Sequence, residues 1–140
     1  MNQLKFNGHS EILRTPYSLK SKSYDTIIAG EIIEHLARPF EFLEECHRML
    51  KPKGRLIITT PNMTSIIYVL DKMECEDKHP HCQAWNPKLF ECLLKKTKFK
   101  ILHEERFNFY RNHPVDFCMN IFTNIFPAFK TNMMFVMEKQ

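Results

Sequence analysis

A chain of 140 residues and 16.8 kDa fits a single domain and leaves no room for a second independent core. Its 44% hydrophobic and 26% charged residues, with 12 Phe and only 3 Gly, exclude a disordered, collagen-like or low-complexity chain. The net charge of +4, from 20 Lys and Arg against 16 Asp and Glu, is too small and too dispersed to require nucleic acid or an anionic membrane as partner.

In chain order, Leu4-Lys5-Phe6 reads as a strand end, and Thr15-Pro16 with Ser18 to Ser23 as loop. The opening residues hold no apolar signal-peptide region, and no apolar run reaches the roughly 18 residues of a spanning helix. The five cysteines, Cys46, Cys75, Cys82, Cys92 and Cys118, are odd in number and form no C-x-x-C pair. The expectation is a soluble protein in the reducing cytoplasm, without a disulfide framework or transmembrane segment.

The clearest pattern runs from Tyr24 to Asn62. A short apolar strand, Thr26-Ile27-Ile28-Ala29, precedes a helix opened near Pro39, with Phe40, Leu43, Cys46 and Leu50 at helical spacing. Lys51-Pro52-Lys53-Gly54 stops that helix, and Arg55 to Thr60 forms the next strand. Neither strand alternates apolar with polar residues, which predicts parallel strands covered on both faces and joined by a helical crossover. A second unit follows. Asn86 caps and Pro87 opens a helix with Leu89, Phe90, Leu93 and Leu94 on its apolar face, leading into a strand from Phe99 to Phe107. From Val115 to Phe129, Asp116, Asn120 and Asn124 recur every four residues as the polar stripe of an otherwise apolar helix. That helix is expected to cover the mouth of a site, rather than to lie on a membrane surface. Met133 to Met137 is the last strand.

Ligands of open α/β sheets bind beyond the carboxyl ends of the strands. After Ala29 the sequence reads Gly30-Glu31-Ile32-Ile33-Glu34-His35-Leu36, and a helical turn here would gather Glu31, Glu34 and His35. Such a group can bind a divalent metal or move a proton. Alternatively, the two carboxylates favour a helix N-terminus while His35 caps or packs. Further on, Cys75, Asp77, His79, His81 and Cys82 lie close together without a C-x-x-C knuckle, which favours an ordinary polar loop over a structural zinc site.

The stretch from Tyr24 to Leu36, the helix ending Arg48-Met-Leu-Lys-Pro-Lys-Gly54, and Arg55-Leu-Ile-Ile-Thr-Thr-Pro-Asn62 resemble class I S-adenosylmethionine-dependent methyltransferases of the type 11/23 group. The resemblance extends through His81, Trp85-Asn86-Pro87 and Phe99 to the terminal strand. It implies a partial Rossmann-like α/β sheet: strands four to seven with flanking helices, the last of them antiparallel, and the first strands absent. It also implies methyl transfer from S-adenosylmethionine to a small-molecule acceptor. Ala29, Gly30 and Glu31 would then lie beside the cofactor, with His35 as the catalytic base. Glu31, Glu34, His35 and His81 together also resemble the divalent-metal set of small-RNA 2′-O-methyltransferases. No basic, aromatic-rich extension for gripping RNA accompanies them, so nucleic acid is not the favoured partner.

Departures from the family set further expectations. No G-x-G occurs anywhere, and Gly8-His9 stands where the family often has Gly-Asp. Without a glycine loop the backbone cannot approach the cofactor closely, which predicts poor affinity for it. Residues 1–140 are therefore expected to be a single, truncated methyltransferase domain. A non-catalytic remnant is the alternative. An exposed strand edge would invite a companion chain or self-association.

Overall fold

The computed structural model describes residues 19–65, 82–108 and 121–140. Four strands and two helices follow in order: β1 (Tyr24–Gly30), α1 (Pro39–Met49), β2 (Leu50–Pro61), α2 (Pro87–Lys95), β3 (Phe99–Phe107) and β4 (Asn132–Lys139). A short 3-10 turn, Ile33–His35, stands between β1 and α1, and another, Pro127–Phe129, precedes β4. The expected strand at Leu4 to Phe6 and the cluster from Cys75 to His81 lie outside the described residues. Among the described residues, no helix is long and apolar enough to cross a membrane.

The sheet order is β1-β2-β4-β3, so the last strand inserts between its predecessors. Strand β1 pairs parallel with β2, from Thr26 opposite Arg55 to Gly30 opposite Thr59. Strand β4 runs antiparallel to both β2 and β3. The carboxyl ends of β1, β2 and β3 and the amino end of β4 consequently meet at one end of the sheet. The strand–helix–strand unit and the antiparallel final strand agree with the expected architecture.

Helix formation follows the local punctuation. Pro39 and Pro87 occupy the first turns of α1 and α2, where a missing N–H costs nothing. The Asn86 side chain accepts from the Leu89 N–H at 2.8 Å, the N-cap that the sequence suggests. The buried face of α1 is Phe42, Leu43, Cys46 and Met49 rather than the expected Phe40, Leu43, Cys46 and Leu50. Phe40, one residue into the helix, is exposed, and Leu50 has already left it for β2. On α2, Phe90 and Leu94 are buried while Leu89 faces solvent.

These helical residues form one core with Ile27, Ala29, Leu56, Ile58, Met133, Phe135 and Met137 from a single face of the sheet. Full burial of each large apolar side chain contributes on the order of 1.5–3 kcal/mol. Phe90 stacks on Trp85 and Phe135 at centroid distances of 5.3 and 5.2 Å. The expectation of strands covered on both faces fails for β1: Ile28, which points away from this core, is 51% exposed. Both described helices pack on the same face. Among the described residues β1 pairs only with β2 and stands at an edge of the sheet.

Candidate functional site

The site is built where β1 ends. Ala29 is fully buried, and a Cβ built at Gly30 would stand 3.4 Å from the Thr59 hydroxyl, an ordinary contact. Glu31 then turns the chain with φ of 50°, a left-handed conformation that L side chains rarely adopt. Its N–H donates to the Thr59 carbonyl at 3.0 Å, which fixes the strained residue against β2. The expected helical turn is reduced to the 3-10 turn Ile33–His35, since a residue at positive φ cannot belong to an α-helix.

This turn sends the two carboxylates in different directions. Asn132, at the start of β4, donates from Nδ2 to Glu31 Oε2 at 3.1 Å. Glu31 Oε1 is buried without a hydrogen-bond partner. Glu34 is only 2% exposed and accepts from the Thr60 hydroxyl on Oε2 at 3.0 Å. The Gln83 N–H donates to the Glu34 carbonyl at 2.9 Å and ties the loop before α2 to the turn. His35 presents Nε2 3.8 Å from Glu34 Oε1 and keeps 35% of its side chain exposed; it and the half-buried Glu31 are more accessible than Glu34.

Burial dominates the electrostatics. Desolvation pushes the Glu31 pKa up, against the Thr59 hydroxyl, His35 and Asn132, which all favour the charged form. The Glu34 pKa is pushed up to about 7, first by desolvation and further by the neighbouring Glu31 charge, against hydrogen bonds from the backbone and Thr60. A carboxyl group held near neutrality can keep or release a proton at physiological pH.

Around this group the end of the sheet is braced by side chains of β2 and the segment before β4. Asn62 donates from Nδ2 to the Lys130 carbonyl at 2.8 Å and accepts on Oδ1 from the Thr64 hydroxyl at 2.7 Å. Asn108 donates to the Thr123 hydroxyl at 2.7 Å and accepts the Thr131 N–H at 3.1 Å. Ser65 Oγ, Trp85 Nε1 and Thr131 Oγ1 are buried here without hydrogen-bond partners. The described part of the expected apolar helix is a helical segment over 121–125, in which Ile121 and Ile125 are exposed and Thr123 is buried. Phe122 clusters with Phe126 and Phe129 at 5.1 and 5.8 Å.

Of the residues expected at the site, Ala29, Gly30, Glu31, Glu34 and His35 do lie together at one strand end. They do not converge as a metal-binding set: among the described residues no group of three His, Cys, Asp or Glu side chains could hold an ion. The reason is geometric, because Glu34 turns inward to Thr60 while Glu31 turns to Asn132. His81, the fourth expected ligand, lies outside the described residues. Sequence reasoning missed Asn132 and Thr60. A polar residue at the first position of an apolar strand, Asn132 before Met133, is the one signal that pointed to the former.

Comparisons with known proteins agree with this architecture. A family model described as a methyltransferase domain matches residues 3–104. The mitochondrial ubiquinone biosynthesis O-methyltransferase of Rattus norvegicus is 40% identical over 50 residues, 36% of this chain but 14% of that protein. The Rickettsia bellii ubiquinone biosynthesis O-methyltransferase is 37% identical over 67 residues, 48% of this chain and 26% of that protein. The matched segments thus span well under half the length of these curated relatives. Among solved structures, a SAM-dependent methyltransferase from Archaeoglobus fulgidus superposes with a TM-score of 0.65 at 21% identity, covering 96% of this chain and 68% of that one. The [4+2]-cyclase SpnF superposes with a TM-score of 0.59 at 13% identity, covering 87% and 52%.

Proposed function

The chain belongs to the methyltransferase-domain family whose model spans residues 3–104, and from that premise we propose that it takes part in S-adenosylmethionine-dependent methylation of a small-molecule acceptor beyond the carboxyl end of β1. The observation that carries this reading is Glu31 Oε1, a buried, unpartnered carboxylate oxygen at that end, since an orphaned acceptor of this kind fits a cationic ligand group. S-adenosylmethionine supplies a sulfonium methyl and an ammonium, and both carry positive charge.

The residues divide the work. Gly30, lacking a side chain, and fully buried Ala29 form a smooth wall at the strand end, and Glu31 offers the anionic contact. His35, accessible at its edge, would take the proton from an acceptor hydroxyl, and S-adenosylmethionine would supply the methyl group. Alignment of the two reactants supplies most of such an acceleration, so few side chains need act chemically. An oxygen acceptor is the choice suggested by the O-methyltransferases that this chain resembles. The 140 residues hold no G-x-G, so the adenosyl portion would be gripped here without a glycine-rich turn, and affinity is expected to be weak.

Titration calorimetry of the 140-residue chain with S-adenosylmethionine and S-adenosylhomocysteine tests the reading. Saturable heat that weakens in Glu31→Gln supports it. Absence of heat with both ligands overturns it and leaves a member of the family that keeps the fold without binding cofactor.

A further inference from the structure

Two asparagines near the site invite comparison. Asn62 uses both ends of its side chain, donating to the Lys130 carbonyl 68 positions away and accepting from the Thr64 hydroxyl, and so ties the end of β2 to the segment before β4. Asn132 reaches across the sheet to a residue 101 positions away and holds one oxygen of a carboxylate whose other oxygen is left unpaired and buried.

We infer that Asn132 positions the Glu31 carboxylate, fixing Oε2 so that Oε1 is presented to the cationic group of a ligand at the end of β1. Its ligand half rests on the cofactor reading above. Three features carry it. Asn132 is itself buried and anchored in both antiparallel ladders, opposite Pro61 and Phe107, so its amide is a rigid donor. The Glu31 backbone is held by its N–H bond to the Thr59 carbonyl and takes the positive φ that Lys22 and Lys53 also adopt, so the point from which its carboxylate extends is fixed. Finally, a purely structural clamp would satisfy both oxygens, because a buried unpaired acceptor is unfavourable. Here Asn132 takes Oε2, and Oε1 makes no hydrogen bond of ordinary geometry although the Thr59 hydroxyl also favours the charged carboxylate.

Asn132→Ala should weaken S-adenosylmethionine binding by about 10- to 150-fold, the loss expected for one hydrogen bond to a charged group. Asn132→Asp should weaken it more, by setting a second carboxylate against Glu31. The deciding measurement is a double-mutant cycle by titration calorimetry. If Asn132 acts through Glu31, the Asn132→Ala effect disappears in a Glu31→Gln background, whereas a residue that merely braces the fold gives additive losses. A second readout requires no ligand: in carbon-detected NMR, Asn132→Ala should raise the titration midpoint of the Glu31 carboxyl, because a donor to its charged form is gone. An unmoved midpoint, or an additive cycle, overturns the inference. If the wild-type chain gives no heat with S-adenosylmethionine while the Glu31 midpoint still moves, the cofactor reading and the ligand half fall and the positioning of Glu31 by Asn132 stands.

Discussion

The two ends of this sheet differ in how many of their buried polar groups are paired. At the amino end of β1, Lys139 is buried, and its ammonium donates to the His47 carbonyl at 2.6 Å and to the Leu50 carbonyl at 2.7 Å. It thereby closes off the last turn of α1, whose terminal carbonyls have no partners within the helix. Close by, the Lys22 and Ser23 N–H groups donate to the Arg48 and Met49 carbonyls. At the other end Glu31 Oε1, Ser65 Oγ, Trp85 Nε1 and Thr131 Oγ1 are buried without partners. The amino end uses Lys139 to finish the fold and leaves a single side-chain atom, His47 Nε2, buried without a partner among the described residues. The other holds polar capacity in reserve, which is how a binding end differs from a structural one.

The difference can be attacked from its shared foundation outward. Phe135 lies midway along β4, fully buried between Phe90 and the Ile58 position of β2. Phe135→Ala should cost about 3–5 kcal/mol in urea unfolding, because the lost transfer energy is joined by a cavity under both ends. Lys139→Met keeps the aliphatic stem but strips two carbonyls of their donor, with an expected loss of about 2–3 kcal/mol and no change in ligand affinity at the far end. A Lys139→Met variant as stable as the parent would show that the closed end is not held by this ammonium.

Glu34 gives the polar end a pH signature. Its pKa rises from an ordinary 4.5 to about 7 in the folded chain, so the folded state binds the proton more tightly than the unfolded state does. Stability contributed by protonated Glu34 is therefore full below about pH 4.5, declines as pH rises toward 7 and is absent above it. The span corresponds to at most about 3 kcal/mol. Glu34→Gln, which still offers an oxygen to Thr60, should flatten that decline and be the more stable protein at pH 8, by about 2 kcal/mol. Thermal unfolding of both proteins at pH 5 and pH 8 reads the difference directly. Parallel pH profiles would mean that Glu34 titrates near its ordinary value.

What could be read from the residues themselves follows the range of the forces involved. The β1–α1–β2 unit was legible because contiguous apolar runs, Pro39 and the Lys51 to Gly54 stop are local signals, and so was the Asn86 cap. The phase of α1 was not: Phe40 and Phe42 both fit helical spacing, and only the direction in which the helix leaves the 3-10 turn decides between them. One-sided cover was hidden as well, since Ile28 continues an apolar run whether or not a helix lies over it. Glu31, Glu34 and His35 could be placed at one strand end, but their divergence could not. It depends on Thr60 and Asn132, and Asn132 arrives only because β4 inserts between β2 and β3.

The smallest expected effects come from two glycines, one at each end of β1 and β2, and they sharpen the contrast most. A Cβ at Gly54 would stand 2.9 Å from the Lys51 carbonyl oxygen and 3.2 Å from that of Asp25, both backbone atoms that cannot swing aside. Gly54→Ala should therefore destabilise by about 1–2 kcal/mol without touching ligand affinity. At Gly30 the nearest atom is the Thr59 hydroxyl at 3.4 Å, so Gly30→Ala should leave stability within about 0.5 kcal/mol of the parent. The same methyl group would project into the wall proposed for the cofactor and should weaken S-adenosylmethionine binding. A Gly30→Ala chain that binds as tightly as the parent would place the cofactor elsewhere along the sheet, even if every stability prediction held.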